Sequence, residues 1–278
     1  AALAIVFVPP GMHWRPGVLE ITAIDVGQGD SLLIVTPEGK TLLLDSGGIG
    51  GGNRSDFDVG EEVVSPFLWQ RGIDHLDAVA ISHPHSDHIG GMRAVIANFR
   101  PKVLWYGLDS PTPEFAELAM AARAFGVAFV SHTAGDAFDF GGVHFRVLNP
   151  QPGAVAGNRL QDDESMVLRL QYGETSALLV GDSHKRIEEI MEGEKPSANL
   201  LKIGHHGSLT SSSPEFLAAV TPQFAVVSAG YYNSFHHPRP EVMERFADRH
   251  IQTFRTDLAG AVTFYLDGTT VSAQPVPR

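Results

Sequence analysis

The chain has 278 residues, enough to bury a substantial core, and its 43% apolar and 19% charged residues are ordinary values for a globular protein. It has no cysteine, which excludes disulfides and thiolate metal ligands and leaves any metal to His and carboxylate. A formal net charge of −12 excludes phosphate binding through a broad basic surface, so a polyanionic substrate would need bound cations and a local basic strip.

The opening run Ala1 to Val8 is apolar and stops at Pro9-Pro10. It is too short to span a bilayer and has neither a basic n-region nor a clear cleavage site. An N-terminal strand or leader and the tail of a membrane helix both fit it. Residues 1–18 are therefore expected as a leader and residues 19–278 as a single domain. Strands are expected at Leu19 to Val26, Ser31 to Thr36 and Thr41 to Asp45, with turns at Gly27-Gln28-Gly29 and Pro37 to Lys40. The glycine-rich stretch Ser46 to Asn53 reads as a loop. Asp58 to Arg71 is a helix, Leu76 to Ile81 a strand, Gly91 to Phe99 a helix, Val103 to Tyr106 a strand, Pro113 to Phe125 a helix and Ala128 to Val130 a strand.

Strands resume at Val143 to Leu148, Met166 to Tyr172 and Ser176 to Val180, followed by a helix at His184 to Met191. Then come strand Leu200 to Ile203, helix Ser213 to Ala219, strand Phe224 to Ser228 and helix Arg239 to Arg249. The chain closes with strands Thr253 to Arg255, Ala261 to Tyr265 and Thr270 to Ala273. Each half opens with strands and passes to alternating helices and strands, an α/β pattern that suits two mixed sheets with helices outside.

The strongest chemical signal is Ser82-His83-Pro84-His85-Ser86-Asp87-His88-Ile89-Gly90-Gly91, directly after a buried strand. A loop at a strand end can curl around an ion, and imidazole with carboxylate suits Zn, Mn or Fe. Asp182 follows an apolar strand in Leu178 to Gly181, His205-His206-Gly207-Ser208 follow another, and Asp45 ends a third. The loop Asn233-Ser234-Phe235-His236-His237-Pro238 precedes a helix. Metal-capable residues thus recur at strand C-termini, where α/β folds build sites. His13, His75, His132, His184, His236 and His250 have no motif around them and read as surface or capping residues. His144 lies inside a strand and reads as structural, and Asp162-Asp163-Glu164 as a solvated loop.

His83 to His88 resembles the HxHxDH signature of the metallo-β-lactamase superfamily, with Asp45, Asp182 and His205 where that family has its other motifs. The phrases Asp25 to Ser31 (DVGQGDS), Leu44 to Gly47, Gly181-Asp182, Lys202 to Ser208 and Asn233 to Pro238 are similar to the hydrolase domain of the ComEC family of bacterial DNA-uptake membrane proteins. The similarity runs from about Leu19 to the C-terminus. It implies an αββα four-layer sandwich holding two divalent ions.

The first ion would be held by His83, His85 and Asp182, the second by Asp87, His88, Asp182 and His205, with Asp45 orienting imidazoles. Many superfamily members carry a further metal-binding His before the Gly-Asp motif. Here that stretch is Asp162 to Ser165, so water or a side chain from Asp163 to Ser165 would complete the first shell. That oxygen-rich set favours Mn2+, with Zn2+ as the alternative. Asp87 and Asp182 are the expected catalytic carboxylates. His206 and His237 are expected to contact phosphate or protonate the leaving oxygen, with Lys202, Ser208 and Asn233 as substrate contacts. The resemblance implies a DNA phosphodiesterase that degrades the non-imported, single strand on the extracytoplasmic side of the membrane, beside further domains of a larger protein. Its rivals are a hydrolase of β-lactam, lactone or small phosphoester substrates, and a catalytically silent DNA-guiding module.

Overall fold

Leu-, Ile- and Val-rich runs, broken by Gly, Pro and Asp turns, pair into two sheets in the computed structural model, which describes residues 12–48, 57–157 and 161–276. The first sheet takes β1 (Leu19–Ala23), β2 (Leu32–Val35), β3 (Thr41–Leu44), β4 (Ala78–Ala80), β5 (Val103–Tyr106) and β6 (Ala128–Ser131). The second takes β7 (Ala137–Phe140), β8 (Val143–Asn149), β9 (Val167–Tyr172), β10 (Thr175–Leu179), β11 (Leu200–Lys202), β12 (Phe224–Val227) and β13 (Gln252–Arg255). The chain then returns to the first sheet as β14 (Val262–Leu266) and β15 (Val271–Pro275), giving the orders β15-β14-β1-β2-β3-β4-β5-β6 and β13-β12-β11-β10-β9-β8-β7.

The pairs β3-β4-β5-β6 and β10-β11-β12-β13 are parallel, and parallel neighbours need long crossovers. Helices supply them: α1 (Ser65–Gln70) before β4, α2 (Ser86–Ile89) and α3 (Met92–Phe99) before β5, and α4 (Pro113–Ala124) before β6. In the second half α5 (Lys185–Glu192), α6 (Pro214–Val220) and α7 (Pro240–Ala247) do the same, and α8 (Thr256–Ala259) leads into β14.

Side-chain alternation separates three apolar layers. On β2, Leu32 and Ile34 face the second sheet, meeting Phe145, Leu168 and Leu179, while Leu33 and Val35 face α1, α3 and α4. On β10, Leu178 turns instead to Ile187, Phe216 and Phe246 on α5, α6 and α7. Both faces of the central strands are buried, which is why they read as continuous apolar runs. The order is helices, sheet, sheet, helices: the expected four layers. Phe145, fully buried between the sheets, would cost about 3–5 kcal/mol as Ala.

Some elements differ from expectation. Asp58 to Arg71 is not one α-helix, because Gly60–Val64 forms a π turn ahead of α1. Gly60 sits against the loop around Gly91; a Cβ there would lie 2.0 Å from Gly91 O, so the close approach needs glycine. β7 and α8 were not anticipated. Residues 12–18 of the expected leader are built into the body: Met12 and Trp14 pack on the apolar layer beneath α1, and Tyr172 Oη donates to Gly17 O at 2.9 Å. The run Ala1 to Val8 and part of the Ser46 to Asn53 loop lie outside the described residues. No helix among the described residues is long and apolar enough to cross a membrane.

Candidate metal centre

The loops leaving the C-terminal ends of β3, β4, β10 and β11 carry Asp45, His83 to His88, Asp182 and His205-His206 to one rim. Asp45 is their anchor. Its φ of +59° is a left-handed conformation that Asp tolerates through its short polar side chain, and it turns the carboxylate inward. Oδ1 accepts from Ser82 N–H at 2.7 Å, and Oδ2 accepts from Ser82 Oγ at 2.6 Å and from His88 Nδ1 at 2.9 Å. The backbone of the ligand loop is pinned as well. Ser46 N–H donates to His88 O at 2.7 Å, Asp30 N–H to Asp87 O at 3.1 Å and Gly91 N–H to Gly47 O at 3.1 Å. The DVGQGDS and LDSG phrases therefore hold the HxHxDH loop in shape.

Two imidazoles have their tautomers fixed by these contacts. His88 Nδ1 is committed to Asp45, and His206 Nδ1 donates to Ser228 O at 3.0 Å. The two Nε2 atoms are left facing inward. His88 Nε2 is 3.3 Å from Asp182 Oδ2; His206 Nε2 is 3.4 Å from both Asp182 Oδ2 and Asp87 Oδ2. His88 Nε2, His206 Nε2 and Asp182 Oδ1 are buried without a hydrogen-bond partner among the described residues. Buried polar atoms are almost always paired, so a cluster of unpaired ones converging on one point fits a cation.

A second convergence lies alongside. His83 Nε2 is 3.0 Å from His85 Nδ1, and Asp162 Oδ1 is 3.1 Å from His85 Nδ1 and 3.7 Å from His83 Nε2. Asp162 Oδ2 also meets His184 Nε2 at 3.1 Å, and His184 Nε2 is 3.1 Å from His205 Nδ1. The sets His83-His85-Asp162, His83-His88-Asp182, Asp87-His88-His206 and Asp162-His184-His205 could each hold a metal ion.

The charges are balanced against burial. For Asp182 burial opposes ionisation, yet His206 and His88 hold it well below the usual carboxylate range. For His206 burial opposes the charged form, and Asp182, Asp30 and Asp87 override it, raising the group to about 10. His88 is likewise raised, against burial, by Asp182 and Asp45. His83 has no such support, and burial followed by repulsion from His88 lowers it well below the usual value. The carboxylates that raise His88 and His206 are the same ones that would attract a cation there.

The structure groups several of the expected site residues differently. His206, not His205, closes the set with Asp87, His88 and Asp182; His205 Nε2 stands 3.8 Å from Asp182 and its ring leans toward His184. The group beside His83 and His85 is Asp162. Asp163 instead bonds His184 N–H and Arg186, Glu164 bonds Gly157 N–H, and Ser165 Oγ accepts from Asp182 N–H while lying 3.4 Å from His83 Nδ1. Lys202 is not a substrate contact: it is fully buried, and Nζ pairs with Asp30 at 2.8 Å and donates to Ile203 O at 2.9 Å. Ser208 is buried and accepts from Thr210 N–H and Oγ1. Asn233 is spent within its own loop, donating to Gly230 O and accepting from His237 N–H. His184 was missed, although it lies only two residues beyond Asp182. His144 pairs with Asp139 on the β7–β8 hairpin.

His237 does reach the rim, with Nδ1 buried and unpartnered among the described residues. Burial, then His205 and His206, push it down to about 4, so it is a neutral imidazole at neutral pH, not a held proton. The α7 N-terminus behind it offers little to a phosphate, since Arg239 N–H is bonded to Gly207 O and Pro240 has no N–H. The whole rim opens into a cavity of about 390 Å3 lined by His85, Asp87, Asp162, Asp182, Phe235 and His237 among others.

A model of the metallo-beta-lactamase superfamily matches residues 24–231. ComE operon protein 3 of Bacillus subtilis (strain 168) is 33% identical over 257 residues, 88% of this chain and 33% of that protein. Competence protein ComA of Neisseria gonorrhoeae is 36% identical over 258 residues, 91% of this chain and 33% of that one. The chain spans about a third of the length of these curated relatives, and their matches bear out the ComEC-like resemblance of its motifs. Among solved structures, the metallo-beta-lactamase fold protein YhfI from Bacillus subtilis is similar with TM-score 0.61, covering 89% of this chain and 99% of that chain at 14% identity. That likeness shows the fold alone.

Proposed function

Since the chain belongs to the metallo-β-lactamase superfamily, we propose that it is a metal-dependent phosphodiesterase that cleaves DNA. The observation that carries this is the inward pair of buried Nε2 atoms on His88 and His206, which lack a hydrogen-bond partner among the described residues and face Asp182 and Asp87 at 3.3 and 3.4 Å. Asp87, His88, Asp182 and His206 would hold one divalent ion, and His83, His85, Asp162 and Asp182 the other. Ions bound there would supply Lewis acidity, lowering the pKa of a water and offsetting phosphate charge. Asp182 is common to both sets and keeps them in register. Asp87, whose side chain is 20% exposed, faces the cavity and is placed to take a proton from the attacking water. His237 presents a neutral imidazole to a phosphate oxygen at the rim, a hydrogen-bonding role.

Asp45 fixes the tautomer and orientation of His88. Three carboxylates in the donor set support Mn2+ over Zn2+. The similarity to competence proteins supports a part in DNA uptake, as the hydrolase domain of a larger membrane-associated protein acting outside the cytoplasm. Incubating the purified chain with labelled DNA and Mn2+, Zn2+ or Mg2+ tests the reading, with cleavage expected in Mn2+. No cleavage with any of them would defeat it.

A further inference from the structure

Three large aromatic side chains within five positions stand in water on the loop that carries Phe235 to the cavity. Tyr231, Tyr232 and Phe235 are 64%, 90% and 56% exposed. Single exposed apolar residues are ordinary, but three on one short loop beside a site mark a surface that something covers. Phe235 lines the same cavity as Asp87 and Asp182, and its ring lies 5.9 Å from that of His237 with 24° between planes. The rings of Tyr231 and Tyr232 lean together, with centroids 4.2 Å apart and planes tilted by 56°.

The loop that carries them is braced. Asn233 bonds Gly230 O and His237 N–H, His236 N–H donates to Asn233 O, and Gly230 N–H donates to Gln28 Oε1 at 3.1 Å. A Cβ on Gly230 would sit 2.9 Å from Gln28 N, so the loop is seated directly on the DVGQGDS turn. The rings are thus offered on a preorganised support, which lowers the ordering cost of anything that stacks on them.

We propose that Phe235, with Tyr231 and Tyr232, is a stacking platform for unpaired nucleobases flanking the scissile phosphate, and that it selects single-stranded over double-stranded substrate. This rests on the phosphodiesterase reading above. An acidic chain of net charge −12 cannot hold a polyanion through broad phosphate contacts. Base stacking on aromatic rings supplies attachment that is neutral and indifferent to sequence. In a duplex every base is already stacked and paired, and using the platform would first require unstacking it. A single strand has its faces free.

The test compares two single-stranded oligonucleotides of equal length and charge, one with ordinary thymines and one with abasic tetrahydrofuran sites flanking a single cleavable thymidine. The wild-type chain should show a KM about 10-fold lower for the base-bearing strand, at similar kcat. Phe235→Ala should bring the two KM values together by raising that of the base-bearing strand. Phe235→Leu, which keeps apolar bulk against His237, should lose the discrimination too, whereas Phe235→Trp should keep it. If wild type cuts both strands with equal KM, or if Phe235→Leu discriminates like wild type, the platform is refuted while the phosphodiesterase reading stands. If no strand is cut with any metal, both fall together.

Discussion

Asp45→Asn isolates the anchoring carboxylate with little other disturbance. Asn matches Asp in size and accepts the left-handed backbone of this position, where φ is +59°. One oxygen survives to accept from Ser82 N–H, but an NH2 replaces the oxygen that faces Ser82 Oγ and His88 Nδ1 at 2.6 and 2.9 Å. Two donors then confront each other inside a buried site. The relief is for His88 to move its proton to Nε2, the atom that faces Asp182 and that the ion would need. Loss of such a supporting partner costs on the order of 10- to 100-fold in metal affinity, about 1.4–2.7 kcal/mol. Calorimetric titration of metal-stripped protein with Mn2+ reads this directly, with a thermal melt of the same sample as the folding control. Wild-type affinity in a folded Asn variant would refute the tautomer argument.

Asp87→Ala and His85→Ala should each abolish DNA cleavage while leaving the circular dichroism spectrum intact; near-normal turnover would remove them from the site. His206 is raised from 6.5 to about 10 in the metal-free protein, so its pairing stabilises the fold fully below pH 6.5 and is lost as pH climbs through 10. Metal-stripped protein should therefore melt at falling temperature across that window, and Mn2+ affinity should rise as the competing proton leaves; a flat profile in both contradicts the pairing. Lys202→Met leaves buried Asp30 with only His206 Nδ1, 3.5 Å away, to offset its charge and should cost about 3 kcal/mol in denaturant unfolding, much of it recovered by Lys202→Met with Asp30→Leu. A loss well under 1 kcal/mol would mean that the pair is not buried as described. His237→Ala should lower kcat/KM equally on substrates with good and poor leaving groups, since an imidazole pushed down to about 4 holds no proton to give at neutral pH; selective loss on the poor leaving group would restore a proton-donor role.

The sequence was most legible where chemistry and local pattern coincide. The run His83 to His88 announces itself, and the short apolar runs of β2 and β10 mark buried strands without any tertiary knowledge. Distance along the chain hides the rest. β14 pairs with β1 across some 240 positions, as Thr22 and Thr263 show, so no window reveals that the last strands close the first sheet. β7 was overlooked because it is a four-residue edge strand in which half-buried Phe138 and Phe140 alternate with exposed Ala137 and Asp139 over too short a run to stand out. Asp162 looked like a solvated loop and His184 like a helix cap, and only folding brings them within 3.1 Å of each other. The choice between His205 and His206 turned on two adjacent left-handed residues, at φ 47° and 53°, which swing neighbouring side chains apart. Lys202 failed as a substrate contact because its Asp30 partner lies 172 positions away.

The most direct test of the account is cleavage of a labelled single-stranded oligonucleotide by the metal-stripped chain, reconstituted with Mn2+ and run beside His206→Ala and His205→Ala. The account predicts cleavage that appears only with added metal, is abolished in His206→Ala together with half of the bound Mn2+, and survives at reduced rate in His205→Ala. Cleavage by His206→Ala with two ions still bound, or none by the wild type in any metal, would contradict it.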